Sequence, residues 1–243
     1  MRVAIVSDIH GNKQAFQAVI AAAETDGADE LWCLGDLVGY GAEPDACVAL
    51  ADAHCTICLA GNHDLAVVDV LSLEDFSRGA ALAAQWTKDV IAAKTREYLL
   101  SLSPEGSGEG VGLFHASPRD PVWEYVLSAL AAELCFDETG FRVSLIGHSH
   151  VALSFHRPEG DPATGSTRRE GAQVDLSSGE WLINPGSAGQ PRDGDPRAAW
   201  LVLDTDGWTA TWRRADYDIA AAQAAIRAAR LPESLAERLQ YGQ

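Results

Sequence analysis

The sequence predicts an α/β fold built around layered sheet. Three observations carry that prediction. Short, wholly apolar runs recur along the chain. Each ends in a polar turn rich in Gly, Asp, Asn or His. Ala-rich stretches with helical spacing fill the first gaps between them. A short apolar run bounded by turn residues reads as a strand buried on both faces. Strand–turn–helix alternation is the pattern of a layered sheet, in which ligands collect beyond the carboxyl ends of the strands.

Val3–Val6 is the first strand and runs into Ser7-Asp8-Ile9-His10-Gly11-Asn12. Lys13–Thr25 follows as a helix with Ala15, Phe16, Val19, Ile20 and Ala23 on one face. Asn12 is placed to cap it and Gly27 to close it. Leu31–Leu34 is a second strand, ending in Gly35-Asp36. A helix over Pro44–Ala53 opens on a proline, where a missing N–H costs little. Thr56–Ala60 is a third strand, ending in Gly61-Asn62-His63-Asp64. Residues 71–103 are helical in composition and are expected beside the sheet, and Ser103–Gly110 reads as a loop.

The second half repeats the theme. Val111–Phe114 is a strand leading into His115, and Trp123–Phe136 reads as a helix. Val143–Ile146 ends in Gly147-His148-Ser149-His150 and continues into a strand over Val151–His156. Arg157–Gly171 is expected as a polar loop. Val174–Leu176, Trp181–Asn184, Ala199–Leu203 and Trp208–Arg213 complete the strands, the last two joined by the hairpin signal Thr205-Asp206-Gly207. Tyr217–Arg230 is an Ala-rich helix. With no repeat and no linker, residues 1–243 are expected to form a single domain, with 216–243 a C-terminal helical segment.

Bulk properties narrow the function. An apolar content of 47% suits a packed core. The chain shows no bilayer-length apolar run and no secretory leader pattern, so a cytoplasmic location and no membrane partner are expected. The net charge of −17 repels polyphosphate backbones and makes nucleic acid an unlikely partner. A small phosphorylated substrate remains compatible where bound dications reverse the local field. The five cysteines are odd in number, and Cys55-Thr56-Ile57-Cys58 lacks a second pair, so they read as small buried residues.

Five of the seven histidines (His10, His63, His115, His148 and His150) closely follow an apolar run, and Asp8, Asp36 and Asn62 share that placement. Any one alone reads as a turn residue. Five strand ends that bring N and O donors to one sheet edge read as a metal site.

The order Asp8-x-His10, Gly35-Asp36, Gly61-Asn62-His63-Asp64, His115 and Gly147-His148-x-His150 resembles the calcineurin-like metallophosphoesterases, from the N-terminus to about residue 190. The loop Asn184–Arg192 resembles their bacterial small-phosphoesterase branch, related to protein phosphatases and dinucleoside polyphosphate hydrolases. The resemblance implies a four-layer α/β/β/α sandwich with a dinuclear metal site at the strand C-terminal ends. It gives Asp8, His10, Asp36 and His150 to one divalent ion and Asp36, Asn62, His115 and His148 to the other, with Asp36 bridging. Mixed N/O ligation suits manganese foremost, with iron or zinc as alternatives. The implied reaction is hydrolysis of phosphate mono- or diesters of a small metabolite or nucleotide by a metal-bridging hydroxide. His63 is the implied general acid.

Two positions depart from the protein phosphatases, which carry Asp-Arg where this chain has Gly39 and Tyr40. Asp64 is the candidate replacement for orienting His63, and Arg192 and Arg119 are candidates to bind phosphate. The departures count against a dedicated Ser/Thr protein phosphatase. The acidic charge counts against a nuclease, and the intact ligand set against a non-catalytic scaffold.

Overall fold

The computed structural model describes residues 1–243. Two six-stranded sheets pack face to face. The first contains β1 (Arg2–Val6), β2 (Glu30–Cys33), β3 (Ile57–Cys58), β9 (Gln173–Asp175), β11 (Ala198–Asp204) and β12 (Thr209–Ala215), in the order β3-β2-β1-β11-β12-β9. The second contains β4 (Glu105–Gly108), β5 (Val111–Phe114), β6 (Val143–Leu145), β7 (Leu153–Arg157), β8 (Thr164–Thr167) and β10 (Glu180–Asn184), in the order β4-β5-β6-β10-β7-β8. Each sheet holds a parallel trio, β1/β2/β3 and β5/β6/β10, flanked by antiparallel strands.

The apolar runs lack polar alternation because both faces of these strands are covered. Along β1, Val3 and Ile5 enter the core between the sheets, together with Trp32, Leu145, Ile183, Leu201 and Trp212. Ala4 and Val6 face outward onto Phe16 and Val19 of α1 (Lys13–Thr25) and Val48 of α2 (Pro44–His54). On the other flank, Leu182 of β10 and Phe155 of β7 pack under Ala132, Cys135 and Phe136 of α6 (Ala129–Glu138). The layers are therefore helix, sheet, sheet, helix, as the resemblance implied. The helical segment over 71–103 is present as α4 (Arg78–Val90) and α5 (Ala93–Leu100). No helix is long and apolar enough to cross a membrane.

Three expectations are corrected. The loop over 103–110 contains β4, and the loop over 157–171 contains β8. Both are edge strands whose Gly, Ser and Thr residues carry no apolar pattern; pairing with β5 and β7 orders them. The helix over 123–136 begins only at Ala129, because the Ser128 hydroxyl caps it by accepting the Ala131 N–H at 3.2 Å. Ahead of that cap, residues 124–127 are non-helical.

Candidate metal centre

The candidate residues leave the carboxyl ends of the parallel strands in both sheets. Asp8 and His10 follow β1, Asp36 follows β2 and Asn62 follows β3. His115 follows β5, and His148 and His150 follow β6. All seven are buried. Asp8, His10, Asp36, His148 and His150 hold left-handed backbone, with φ between 49° and 61°. Such conformations cost roughly 1–3 kcal/mol each and persist where the surroundings over-determine them. Here the Asp8 and His10 N–H groups donate to the carbonyls of Gly35 (3.0 Å) and Asp36 (2.9 Å), and the His148 N–H donates to Asp8 Oδ2 (3.1 Å).

Three imidazoles are locked by backbone carbonyls at Nδ1. His10 donates to Val38 (3.0 Å), His115 to Leu34 (2.9 Å) and His150 to Gln190 (2.7 Å). Each therefore presents Nε2 as a lone pair toward the cluster. His10 Nε2 and His150 Nε2 face each other at 3.1 Å. Two lone pairs at that distance repel unless a cation lies near both. Asp36 Oδ2 lies 3.5 Å from His10 Nε2 and 3.6 Å from His115 Nε2, so one carboxylate oxygen borders both halves of the cluster. Asp36 Oδ2, Asp8 Oδ1 and His148 Nε2 are buried without any hydrogen-bond partner.

These donors fit divalent metal. The donor atoms of Asp8, His10, Asp36 and His150 lie within 4.8 Å of one another, as do those of Asp36, His115 and His148. Asn62 Oδ1 joins the second group, 3.2 Å from His115 Nε2. Burial, helped by the nearby Asp64 carboxylate, drives the Asp36 carboxyl well above its ordinary range. Burial likewise pushes Asp8 up to about 7. Burial pushes His10, His148 and His150 well below the usual imidazole value. Deprotonated carboxylates next to neutral imidazoles need positive charge, and cations in these positions supply it.

His63 lies beside this cluster on α3 (Asn62–Val67), its N–H donating to Asp36 Oδ1 at 2.9 Å. Burial holds its imidazole down at about 3. Asp64 does not orient it. That carboxylate instead accepts the N–H groups of Leu37, Val38 and Gly61, at 3.2, 3.1 and 2.9 Å. The His63 ring is fixed by shape, with the rings of Tyr40, His10 and Phe76 at 4.5, 4.9 and 4.9 Å, while Nδ1 has no partner. Gly39 makes room for it: a Cβ there would lie 2.3 Å from His63 Nδ1.

A cleft of about 320 Å³ opens above the cluster, lined by Asp36, Asn62, His63, His148 and His150. Arg192 lines it; Arg119 does not, and pairs with Glu124 at 3.0 Å. The sequence reading missed Phe76, Trp123, Tyr125 and Arg238, which also line the cleft. Tyr125 stacks on His148 with centroids 4.1 Å apart. The signal that could have revealed Trp123 and Tyr125 was Ser128 as a helix cap, which leaves the residues just before it outside the helix.

The fold is that of the calcineurin-like phosphoesterase superfamily. Residues 1–207 match the model of that superfamily domain, and the chain belongs to the family. A metallophosphoesterase from Sphaerobacter thermophilus is 40% identical with a TM-score of 0.91, over 100% of this chain and 99% of that one. The uncharacterized protein MJ0912 of Methanocaldococcus jannaschii is 36% identical, over 99% of this chain and 98% of its own length. The hypothetical protein PH1004 of Pyrococcus horikoshii, 17% identical, shares the fold with a TM-score of 0.78 over 100% of this chain and 98% of that one.

Proposed function

We propose that the protein is a phosphoesterase that hydrolyses phosphate mono- or diesters of a small metabolite or nucleotide with two divalent ions, manganese foremost. Asp36 carries the reading. A single buried carboxylate oxygen, without a hydrogen bond, lies about equally far from histidines of both donor groups. A carboxylate placed there offsets the repulsion between two dications at the ~3.5–4 Å spacing of two-metal sites. Asp8, His10 and His150 complete one ion's ligands in this reading, and Asn62, His115 and His148 the other's. When bound, the ions supply activated water and neutralise charge on the phosphoryl oxygens.

The chain's own residues supply the rest. Arg192 faces the cleft with planar donors suited to phosphate oxygens. His63, hemmed in by rings and lining the cleft, is placed to hand a proton to the leaving oxygen. Because burial depresses its proton affinity, this role requires the anionic phosphate of the substrate to favour the protonated ring. The aromatic wall of Phe76, Trp123 and Tyr125 gives the leaving group an apolar flank.

Purified protein supplemented with manganese is expected to hydrolyse an aryl phosphate monoester or diester and to bind two ions per chain. Asp36→Asn is expected to abolish turnover. Undiminished turnover in that variant refutes the bridging role. Well under one ion per wild-type chain refutes the metal site altogether.

A further inference from the structure

Residues 216–243 lie beyond the residues that match the superfamily model, yet they help form the cleft. Helices α7 (Ile219–Ala228) and α8 (Glu233–Glu237) pack Ala222, Ile226, Leu235 and Ala236 against Ala83 of α4, joined by Leu239 of the following helical turn, with Tyr40 and Ala42 against the same cluster. The chain then turns at Gly242, in left-handed backbone with φ 63°. Its carbonyl accepts the Gly194 N–H at 3.0 Å, and a Cβ there would come within 2.7 Å of the Asp195 backbone. The helical turn Arg238–Tyr241 is thus clamped between α4 and the loop that carries Arg192.

Arg238 lines the same cleft as Arg192 and the candidate ligands. Neither arginine forms a salt bridge with an aspartate or glutamate side chain. Arg192 donates through Nη2 to Gln190 Oε1 (3.1 Å) and Tyr40 Oη (3.4 Å), and its Nε is buried with no partner. Arg238 donates through Nε to a terminal oxygen of Gln243, the last residue of the sequence. Burial, with Arg192 nearby, lowers its proton affinity. Besides Asp36, the cleft lining holds one carboxylate, the exposed Asp75 at the rim. The cleft thus gathers two guanidinium groups in a chain of net charge −17, an arrangement that an anion bound between them would stabilise.

We propose that Arg238 and Arg192 form a subsite for a second anionic group of the substrate, so that the preferred substrates are phosphoesters carrying a further phosphate or carboxylate. The proposal rests on the phosphoesterase reading for the word substrate, but the subsite is testable by binding alone. Guanidinium groups bind such oxyanions through paired, charge-assisted hydrogen bonds. Arg238 is in this role a specificity residue, supplied by a segment outside the superfamily domain.

The test compares alkylphosphonates with one and two phosphonate ends, on chains of two to four carbons, by calorimetric titration of the manganese-loaded protein. Phosphonates are not hydrolysed, and ion content is measured after each titration. The two-ended ligand of best length is expected to bind about tenfold tighter or better, as one additional charge-assisted contact allows. Arg238→Gln should reduce that advantage to less than about threefold, with melting temperature and ion content held. Equal affinity for one- and two-ended ligands overturns the subsite. So does a preference that survives both Arg238→Gln and the double variant with Arg192→Gln. Aryl phosphate hydrolysis is followed on the same preparation. Turnover without a two-anion preference overturns the subsite alone, whereas the preference without turnover upholds the subsite and overturns the hydrolytic reading.

Discussion

Gly39→Ala disturbs the candidate general acid without altering it. Gly39 has φ 86°, and the added Cβ would stand 2.3 Å from His63 Nδ1. Ordinary contact needs about 3.5 Å, so the ring must retreat by about 1 Å. It has little room, because Tyr40, His10 and Phe76 enclose it at centroid distances of 4.5, 4.9 and 4.9 Å. A misplacement of about 1 Å can cost on the order of 10²-fold in rate. The backbone adds its own penalty, since left-handed conformation costs Ala about 1–2 kcal/mol. At ~2–4 °C per kcal/mol for a chain of this size, the melting temperature should fall by about 2–8 °C. The assay compares kcat on p-nitrophenyl phosphate, whose leaving group needs little protonation, with kcat on an alkyl phosphate, whose leaving group needs it. The alkyl ester should lose about 10²-fold and the nitrophenyl ester far less, with ion content unchanged. Equal losses on the two esters, or wild-type turnover of the alkyl ester, would refute the idea that the placement of His63 controls proton delivery.

Other consequences are open to test. A carboxyl raised to about 7, as in Asp8, stabilises the metal-free fold below about pH 4 and loses that contribution as pH rises through about 7. Manganese needs the ionised form, so binding should release close to one proton from Asp8 at pH ~6 and much less at pH ~8; calorimetry in buffers of different ionisation enthalpy reads this, and pH-independent release contradicts it. Asn184→Ala removes the bonds from Nδ2 to the Gly147 carbonyl (2.6 Å) and Ser149 Oγ (3.1 Å), and the bond that Oδ1 accepts from the Gly186 N–H (2.8 Å). At ~1–3 kcal/mol for each buried group left unpaired, a loss of about 3 kcal/mol is expected in denaturant melts, with weakened metal affinity because His148 and His150 flank those groups. A chain truncated before Val143 should not retain two tightly bound ions even if it stays in solution, because His148 and His150 are then missing; elemental analysis decides.

The position of the candidate donors at the sheet edge was legible because each sits just past a largely apolar run. A strand buried on both faces announces itself, and the turn after it has a fixed place at the sheet edge. Asp8, His10, Asp36, Asn62, His115, His148 and His150 are all found there. The cap at Asn12 was legible for a similar local reason, and its Oδ1 accepts the Ala15 N–H at 3.1 Å. What escaped was decided by tertiary context. The edge strands β4 and β8 are ordered by their neighbours' backbones rather than by their own side chains. Val126 packs with Ala132, Cys135 and Phe136 and so imitates a helical stripe across a boundary that one hydroxyl enforces. Asp64 stands next to His63 in sequence, yet the first turn of α3 points its carboxylate at backbone amides. Arg238 carries no local mark at all; only the packing of α7 and α8 brings it to the cleft.

The division of donors between the sheets has a temporal side. Asp8, His10, Asp36 and Asn62 come from the first 62 residues, whereas His115, His148 and His150 come from the other sheet. The first sheet is itself unfinished until β11 arrives, since Leu203 pairs with Val3. A growing chain therefore holds half a binding pocket for most of its synthesis. A metal acquired early would meet four donors on a sheet lacking its central neighbour. High-affinity loading is expected only once about 200 residues have emerged and the two sheets have closed, so that an ion would join sheets already built rather than seed either.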